Sequence, residues 1–311
     1  MIPLIRNENM KIYKRKRTWV MIAIVLLYVL LQIVNLKTAG SGTASDDWRA
    51  QLEQENMKFS KEAAKPDALK IEINQAEKHI LLNQYYLDQN TPPSNNAWNF
   101  AVSQVRNIIF AVSLISVIIA GEIVAAEFVS GTIKLLLTRS ASRTKIYLSK
   151  YVAAILFGLM LSAVGVLTSI FLGGFVFGFD GLADSYFYVK DQAVGGVPML
   201  QALVVGYMLN IPFLLIAITL AFMISAAFRS TTFSIVISLL VSLTGFIIAI
   251  AMDGWTWTKY FVFSHTDLTW FVYGNPSVNG VTLGFSLVFI LLHLAIMHLI
   301  SYPLFVKRDV V

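Results

Sequence analysis

The stretch that decides the fold is residues 199–228, which read MLQALVVGYMLNIPFLLIAITLAFMISAAF. It carries no charged residue and is longer than the roughly 20 residues that an α-helix needs to cross a bilayer. Pro212 lies inside it and predicts a kink, and the side chain of Asn210 could satisfy part of the backbone that the proline frees. The stretch therefore predicts a membrane-spanning helix.

Five further apolar runs have a similar length, over residues 18–36, 104–126, 152–179, 233–252 and 281–302. The 311 residues are 57% hydrophobic and 14% charged, whereas a soluble domain of this size would need more charge to cover its surface. A transmembrane β-barrel would show shorter, alternating segments of roughly ten residues. We predict an all-α integral membrane protein with six transmembrane helices.

Lys and Arg are concentrated in the connections on one side of these six spans, and basic loops mark the cytoplasmic side. Residues 1–17 form a basic amphipathic segment that we expect at the membrane interface, and residues 127–151 and 303–311 lie on the same side. Both termini are therefore expected in the cytoplasm. The net charge of +6 reflects these basic segments and does not indicate nucleic-acid binding.

Two segments fall on the opposite side. In residues 37–103, apolar residues at helical spacing beyond Pro66 predict a hairpin of two helices. Residues 253–280 contain Trp255, Trp257 and Trp270, and are too aromatic for a solvated loop but too polar for a full span. We expect a re-entrant or interfacial segment there, which either anchors the chain at the headgroups or forms a lip for a substrate.

Signatures of enzymatic chemistry are missing from the sequence. There is no Gly-x-x-x-x-Gly-Lys-Ser/Thr loop for ATP, no His-Glu-x-x-His and no Gly-x-Ser-x-Gly. His293 and His298 are five residues apart, which is poor spacing for a shared metal on one helix face, and the chain has no cysteine. We expect no catalytic residue, no metal site and no cofactor bound by this chain.

Charged residues are rare within the spans. Glu122 and Glu127 lie at the inner edge of the second span, and either a structural role at the boundary or a role in transport is open for Glu122. No acid lies near a bilayer centre, which argues against an ion-driven carrier. Gly174 and Gly178 form a Gly-x-x-x-Gly pair, which is a candidate for close helix packing.

The connection after the second span is the most informative stretch, and residues 127–150 read EFVSGTIKLLLTRSASRTKIYLSK. Its order resembles the type-2 family of ABC-transporter permeases, in the branch of small bacterial exporters similar to bacitracin and lantibiotic exporters. Those proteins show a Glu-x-x-x-Gly-Thr-Ile/Leu element, then Leu-Leu, then a turn with proline and arginine. Ser140 stands where proline is common. The resemblance implies that an ATPase couples through Glu127, Gly131, Thr132, Ile133, Lys134, Arg139 and Arg143.

The resemblance further implies a permease subunit in a bacterial plasma membrane, which pairs with an identical or related second permease. Two cytoplasmic ATPase subunits would hold the ATP and magnesium, and an amphipathic peptide or lipid-like compound would be exported, with a role in antibiotic resistance. Candidates for translocation or gating are Glu122, Asn210, Pro212, Trp255, Trp257 and Trp270. Two alternatives stay open: a sensory or scaffold protein that uses the external hairpin, and an ion-driven carrier.

Overall fold

The computed structural model of the protein describes residues 1–38, 48–131, 142–228, 230–276, 278 and 280–307. Helices account for most of these residues. They are α1 (Ile2–Tyr13), α2 (Lys16–Thr38), α3 (Trp48–Ala63), α4 (Lys70–Asp88), α5 (Ala97–Glu122), α6 (Ala125–Val129), α7 (Arg143–Phe177), α8 (Met199–Phe228), α9 (Thr231–Ala251), α10 (Trp270–Tyr273) and α11 (Leu283–Val306), with strands β1 (Ser185–Lys190) and β2 (Ala193–Pro198) between α7 and α8.

Within the described ranges, six helices are long and apolar enough to cross a membrane, as predicted: α2, α5 continued through α6, α7, α8, α9 and α11. Their bounds extend beyond the apolar runs, since α5 begins at Ala97 rather than at residue 104, and α7 begins at Arg143 rather than at residue 152. Hydropathy identifies only the part of a helix that is apolar enough to lie in a bilayer. The backbone hydrogen bonds of the helix continue into the polar residues before and after that part. Residues 143–151 therefore belong to a helix and not to a loop.

Helices α5 and α8 form the centre of the bundle and contact each other along their length. Helix α7 packs against α5, with α2 on the outside of α7, while α9 and α11 pack against α8. Glycines allow the close approaches: a Cβ on Gly158 would lie 2.7 Å from Ile218, and one on Gly165 would lie 2.6 Å from Ile108. The outer helices α2, α9 and α11 leave much of their apolar surface uncovered.

The bundle has two ends that differ in what covers them. At the terminal side, α1 and the last turn of α11 both contact the first turns of α7. At the hairpin side lie α3 and α4, which pack against each other as the predicted two-helix hairpin. The Asn83 side-chain amide donates to Asn56 at 3.0 Å, and the rings of Phe59 and His79 stack at 4.7 Å.

The all-α prediction holds for the bundle, and the structure adds one short region of sheet that was not predicted, because β1 and β2 form an antiparallel hairpin. Its two turn residues, Asp191 and Gln192, have φ of 50° and 60°, which is the conformation of a tight turn that matches strand twist. Alternating side chains put Phe187 against Tyr85 and Tyr86 of α4, and Tyr188 against Tyr273 of α10. The hairpin thus lies between the helices α3 and α4 and the aromatic segment.

The aromatic segment folds back onto the bundle through two 3-10 turns, Thr256–Tyr260 and Val262–His265, followed by α10. Its Leu268 N–H donates to the Leu209 carbonyl at 3.1 Å, three residues before Pro212, which lies inside the continuous helix α8. The Asn210 side-chain amide donates to the Gly206 carbonyl at 2.8 Å. The carbonyl that loses its helical N–H partner to Pro212 is that of Met208, so this contact does not satisfy the backbone group that the proline frees. The contact between Leu268 and Leu209 docks the aromatic segment on α8 in the turn that precedes Pro212.

Candidate functional site

The terminal side holds a cluster of buried charges, which we call the ionic quartet: Glu8 and Lys11 of α1, Glu127 of α6 and Lys150 of α7. The Lys150 ammonium is fully buried and lies 2.9 Å from the Glu8 carboxylate and 2.7 Å from that of Glu127. Lys11 lies 2.8 Å from each of the same two carboxylates. Two positive and two negative groups alternate, so the quartet is neutral and joins three helices.

A second set of ion pairs lies beside the quartet. Glu122, the last residue of α5, is 3% exposed and pairs with Arg15 at 2.8 Å and with Arg17 at 2.5 Å. Both arginines come from the junction of α1 and α2, where the Thr18 hydroxyl donates to the Ile12 carbonyl at 2.6 Å. These contacts favour the structural reading of Glu122 at the membrane boundary.

Local sequence explains why α1 lies where it does. Its buried positions are Glu8 and Ile12, one turn apart, so one face of the helix carries an acid and an aliphatic side chain toward the bundle. The ring of Tyr13 lies 6.1 Å from that of Phe157 in α7. Glu8 is also the single acid among the first 17 residues, which is the signal that sequence inspection could have used to find it.

The quartet acts as a structural tie, in which opposite charges hold α1, α6 and α7 together. Burial by itself would raise the pKa of Glu8, but Lys150 and Lys11 outweigh burial and hold that pKa below its ordinary value. Burial would likewise lower the pKa of Lys11, but Glu127 and Glu8 raise it overall. Both residues therefore stay charged at neutral pH, and removing one partner would leave a buried charge uncompensated.

The predicted coupling residues have different surroundings. Glu127 is a member of the quartet, and Gly131 follows α6 with φ of 70°, a conformation that favours glycine. The Arg143 guanidinium donates to the Val306 carbonyl at 2.9 Å and so caps the end of α11. Thr132, Ile133, Lys134 and Arg139 lie outside the described residues.

The predicted gating residues separate into two groups. Trp255 and Trp257 are exposed, and Glu122 is held by arginines. Asn210 and Trp270, in contrast, line one cavity on the hairpin side. Pro212 is buried in α8 near this cavity and shapes the helix rather than lining it.

Gly174 and Gly178, the candidate helix-packing pair, lie in the last turn of α7 and directly after it. The three atoms nearest to a Cβ built on Gly174 all belong to the ring of Phe179, which folds back onto α7. Gly178 ends α7 with φ of 89°, and its carbonyl accepts from Ala97 at 3.0 Å. Gly158 and Gly165, nearer the middle of α7, lie against Ile218 of α8 and Ile108 of α5.

The cavity on the hairpin side, which we call the outer cavity, has a volume of about 550 Å³. It lies between α4, α5, β1, the start of α8 and α10. Polar and aromatic residues line much of it. Those used below are Lys78, Arg106, Tyr186, Tyr188, Asp267, Trp270 and Tyr273. Lys78 and Asp267 give no sign of this role in the sequence, because each looks like an ordinary charge in a polar segment.

No group of three or more His, Cys, Asp or Glu that could hold a metal ion occurs in the part of the chain that the structure describes. The six long apolar helices define the protein as a multi-pass α-helical membrane protein, with buried ion pairs on the terminal side and a cavity on the hairpin side. The chain belongs to the family described as protein of unknown function, DUF2705, whose family model matches residues 70–311.

Comparisons with known proteins agree with the membrane class. The chain is similar to the uncharacterized protein YhcI of Bacillus subtilis (strain 168), at 34% identity over 318 residues, which covers 100% of this chain and 99% of that protein. It is also similar to the uncharacterized membrane protein YdbK of the same organism, at 26% identity over 200 residues, or 63% of this chain and 76% of that protein. No solved structure matches the chain.

Proposed function

We propose that the protein is the membrane-spanning permease subunit of an ATP-driven ABC exporter. It would pair with a second permease and with two cytoplasmic ATPase subunits, which bind the ATP and magnesium. The observation that carries this proposal is the position of the motif that resembles a coupling element. That motif starts at Glu127, in the ionic quartet, and leads directly into α7 at Arg143.

The buried ion pairs next to the motif could transmit a movement of the ATPase to the helices of the bundle. An ATPase that moves the connection between α6 and α7 would act on two helices that Lys150 and Glu127 hold together at 2.7 Å. Because α1 is tied to the same lysine through Glu8, the interface helix would move with them. A rigid unit of this kind can bias a bundle between inward-open and outward-open states.

The distribution of charge supports the orientation in this proposal. The terminal side carries the basic segments of residues 1–17 and 127–151, and short basic loops favour the cytoplasm. Both termini would then be cytoplasmic in the plasma membrane of a bacterial cell. The hairpin, the outer cavity and the exposed Trp255 and Trp257 would face the outside, where an amphipathic peptide or lipid-like compound would leave.

One observation favours a second candidate function, a membrane receptor. Helix α4 of the external hairpin contributes Lys78 to the outer cavity, so a ligand bound there would touch the hairpin directly. In a receptor, this contact would change the packing of the hairpin on β1, and the spans would transmit that change without moving a substrate.

The test is to purify the full chain from a bacterial membrane in a mild detergent, and to identify and quantify ATPase subunits that purify with it. We expect an ABC ATPase that co-purifies, and ATP-dependent uptake of an amphipathic compound into inverted vesicles. A charge-reversing Arg139→Glu variant should lower both, while Arg6→Glu on the exposed face of α1 serves as the control. Transport that persists without ATP, or a chain that purifies without an ATPase, would contradict the proposal.

A further inference from the structure

The charges around the outer cavity are not balanced. Asp267 is the single acid among its lining residues, and its carboxylate lies 3.2 Å from the Arg106 guanidinium, so this pair is neutral. Lys78 lies half-buried on α4, and no carboxylate of the described residues comes within 4 Å of its ammonium group. The cavity therefore has one cation whose charge is not compensated by a direct ion pair.

An aromatic surface lies next to this cation. The Lys78 ammonium is 3.9 Å from the centroid of the Trp270 ring. This cation–π contact partly compensates the ammonium group for the water that it loses on burial. The rings of Tyr186 and Tyr188 lie 6.0 and 5.2 Å from that of Tyr273, and all three tyrosines line the cavity. Such rings accept an apolar body while their edges and hydroxyls tolerate polar groups.

The size of the cavity suits a small molecule and not a single ion. Its volume of about 550 Å³ falls within the range of about 300–1,000 Å³ that is typical of ligand pockets. Aliphatic side chains of Leu82, Val102 and Val105 extend the apolar part of the lining. A ligand that matches both the Lys78 ammonium and the apolar lining needs an acidic group and an apolar portion.

We propose that the outer cavity binds an amphipathic anion, with its acidic group at Lys78 and its apolar portion against Trp270 and the tyrosine rings. The proposal does not depend on ABC transport, because a receptor and an exporter would both need such a site. It names the chemistry of the ligand and places the external hairpin in the binding site through α4.

The ionisation of Lys78 gives the site a characteristic pH dependence. Burial, only partly opposed by Asp267, lowers the pKa of Lys78 to about 8. A bound anion stabilises the charged lysine, so affinity is greatest below pH 8 and falls as the pH rises above it, toward tenfold per pH unit. The other titratable groups that line the cavity are His79, Arg106, Tyr186, Tyr188, Asp267 and Tyr273.

The experiment measures binding to the full chain in phosphatidylcholine nanodiscs, without ATP or any ATPase, by isothermal titration calorimetry. The probe is lysophosphatidylglycerol, whose phosphodiester keeps one negative charge between pH 7 and 9.5. Zwitterionic lysophosphatidylcholine has the same apolar chain, and glycerol phosphate has the acidic group alone. We expect saturable binding of lysophosphatidylglycerol at one site per chain, and binding at least tenfold weaker for the other two compounds.

Variants at one position separate charge from folding. Lys78→Gln should weaken lysophosphatidylglycerol binding about tenfold and remove its pH dependence. Lys78→Arg should keep the affinity at pH 7 and hold it constant to pH 9.5, because arginine stays protonated. Lys58→Gln makes the same charge change at an exposed position of α3 and is the matched control.

Two outcomes would overturn the proposal. One is equal affinity for lysophosphatidylglycerol and lysophosphatidylcholine, and the other is an anion affinity that Lys78→Gln and Lys58→Gln change equally. Because the measurement contains no ATPase, a failure of ABC coupling leaves its result unchanged. Loss of transport with intact binding would therefore count against the proposed function and not against this site.

Discussion

The two ends of the bundle use buried lysines in opposite ways. On the terminal side, Lys150 is fully buried between two carboxylates of the quartet, which compensate its charge. On the hairpin side, Lys78 is half-buried beside a cavity of about 550 Å³ and has an aromatic ring in place of a carboxylate. The first arrangement is a structural tie between helices, whereas the second leaves a charge available to a ligand.

The largest effect should follow from breaking the tie. Lys150→Met leaves Glu8 and Glu127 with only Lys11 between them, so the protein should lose about 3–5 kcal/mol of stability, as is typical when one partner of a buried pair is removed. Thermal unfolding of the purified chain in detergent measures this. Lys145→Met, at an exposed position of the same helix, should change stability by less than about 0.5 kcal/mol. Equal effects of the two variants would mean that the quartet is not a tie.

A smaller effect should appear when pH changes the charges of α1. The pKa of Glu8 is held below its ordinary value, so docking of α1 should be stable above pH 4.5 and weaken as the pH falls through the lowered pKa. The pKa of Lys11 is raised, so docking should also weaken as the pH rises beyond 10.5 through that raised pKa. Docking is thus expected to be strongest between these limits.

A spin label reports this release directly, since the chain has no native cysteine. Met10→Cys places the label at an exposed position of α1, and its mobility should stay constant from pH 6 to 9 and rise below pH 4.5. The same label in a Glu8→Gln background should lose most of the acid-side change. Mobility that rises equally in both backgrounds would show that other carboxylates control the docking of α1.

The smallest effect on stability should come from substitution of Lys78, the lysine on the hairpin side. Lys78→Met removes a charge that has no ion pair and keeps apolar contact with Trp270, so stability should change by about 1 kcal/mol or less in either direction. Thermal unfolding under the conditions used for Lys150→Met gives the comparison. A loss as large as that of Lys150→Met would show that Lys78 is also structural, and would weaken the case for an anion site.

Much of the fold could be predicted from the sequence. The six spans follow from apolar runs, and the two-helix hairpin follows from helical spacing beyond Pro66, because both patterns are local. The β-hairpin was missed, although Tyr186, Phe187 and Tyr188 alternate, because its turn of Asp191 and Gln192 lacks the glycine that usually marks such turns. The contact at Gly174 could not be read from spacing either, since only the fold shows the ring of Phe179 against it.

The sequence by itself determined that this is a membrane protein with six spans and charges confined to their ends, because the cost of placing charge in lipid acts on each segment separately. Only the tertiary structure decided which of these charges are paired. Residues 8, 127 and 150 are far apart in the chain, and their charges meet because α1 folds onto the start of α7. The free charge of Lys78 has the same origin, since Arg106 and not Lys78 lies closest to Asp267.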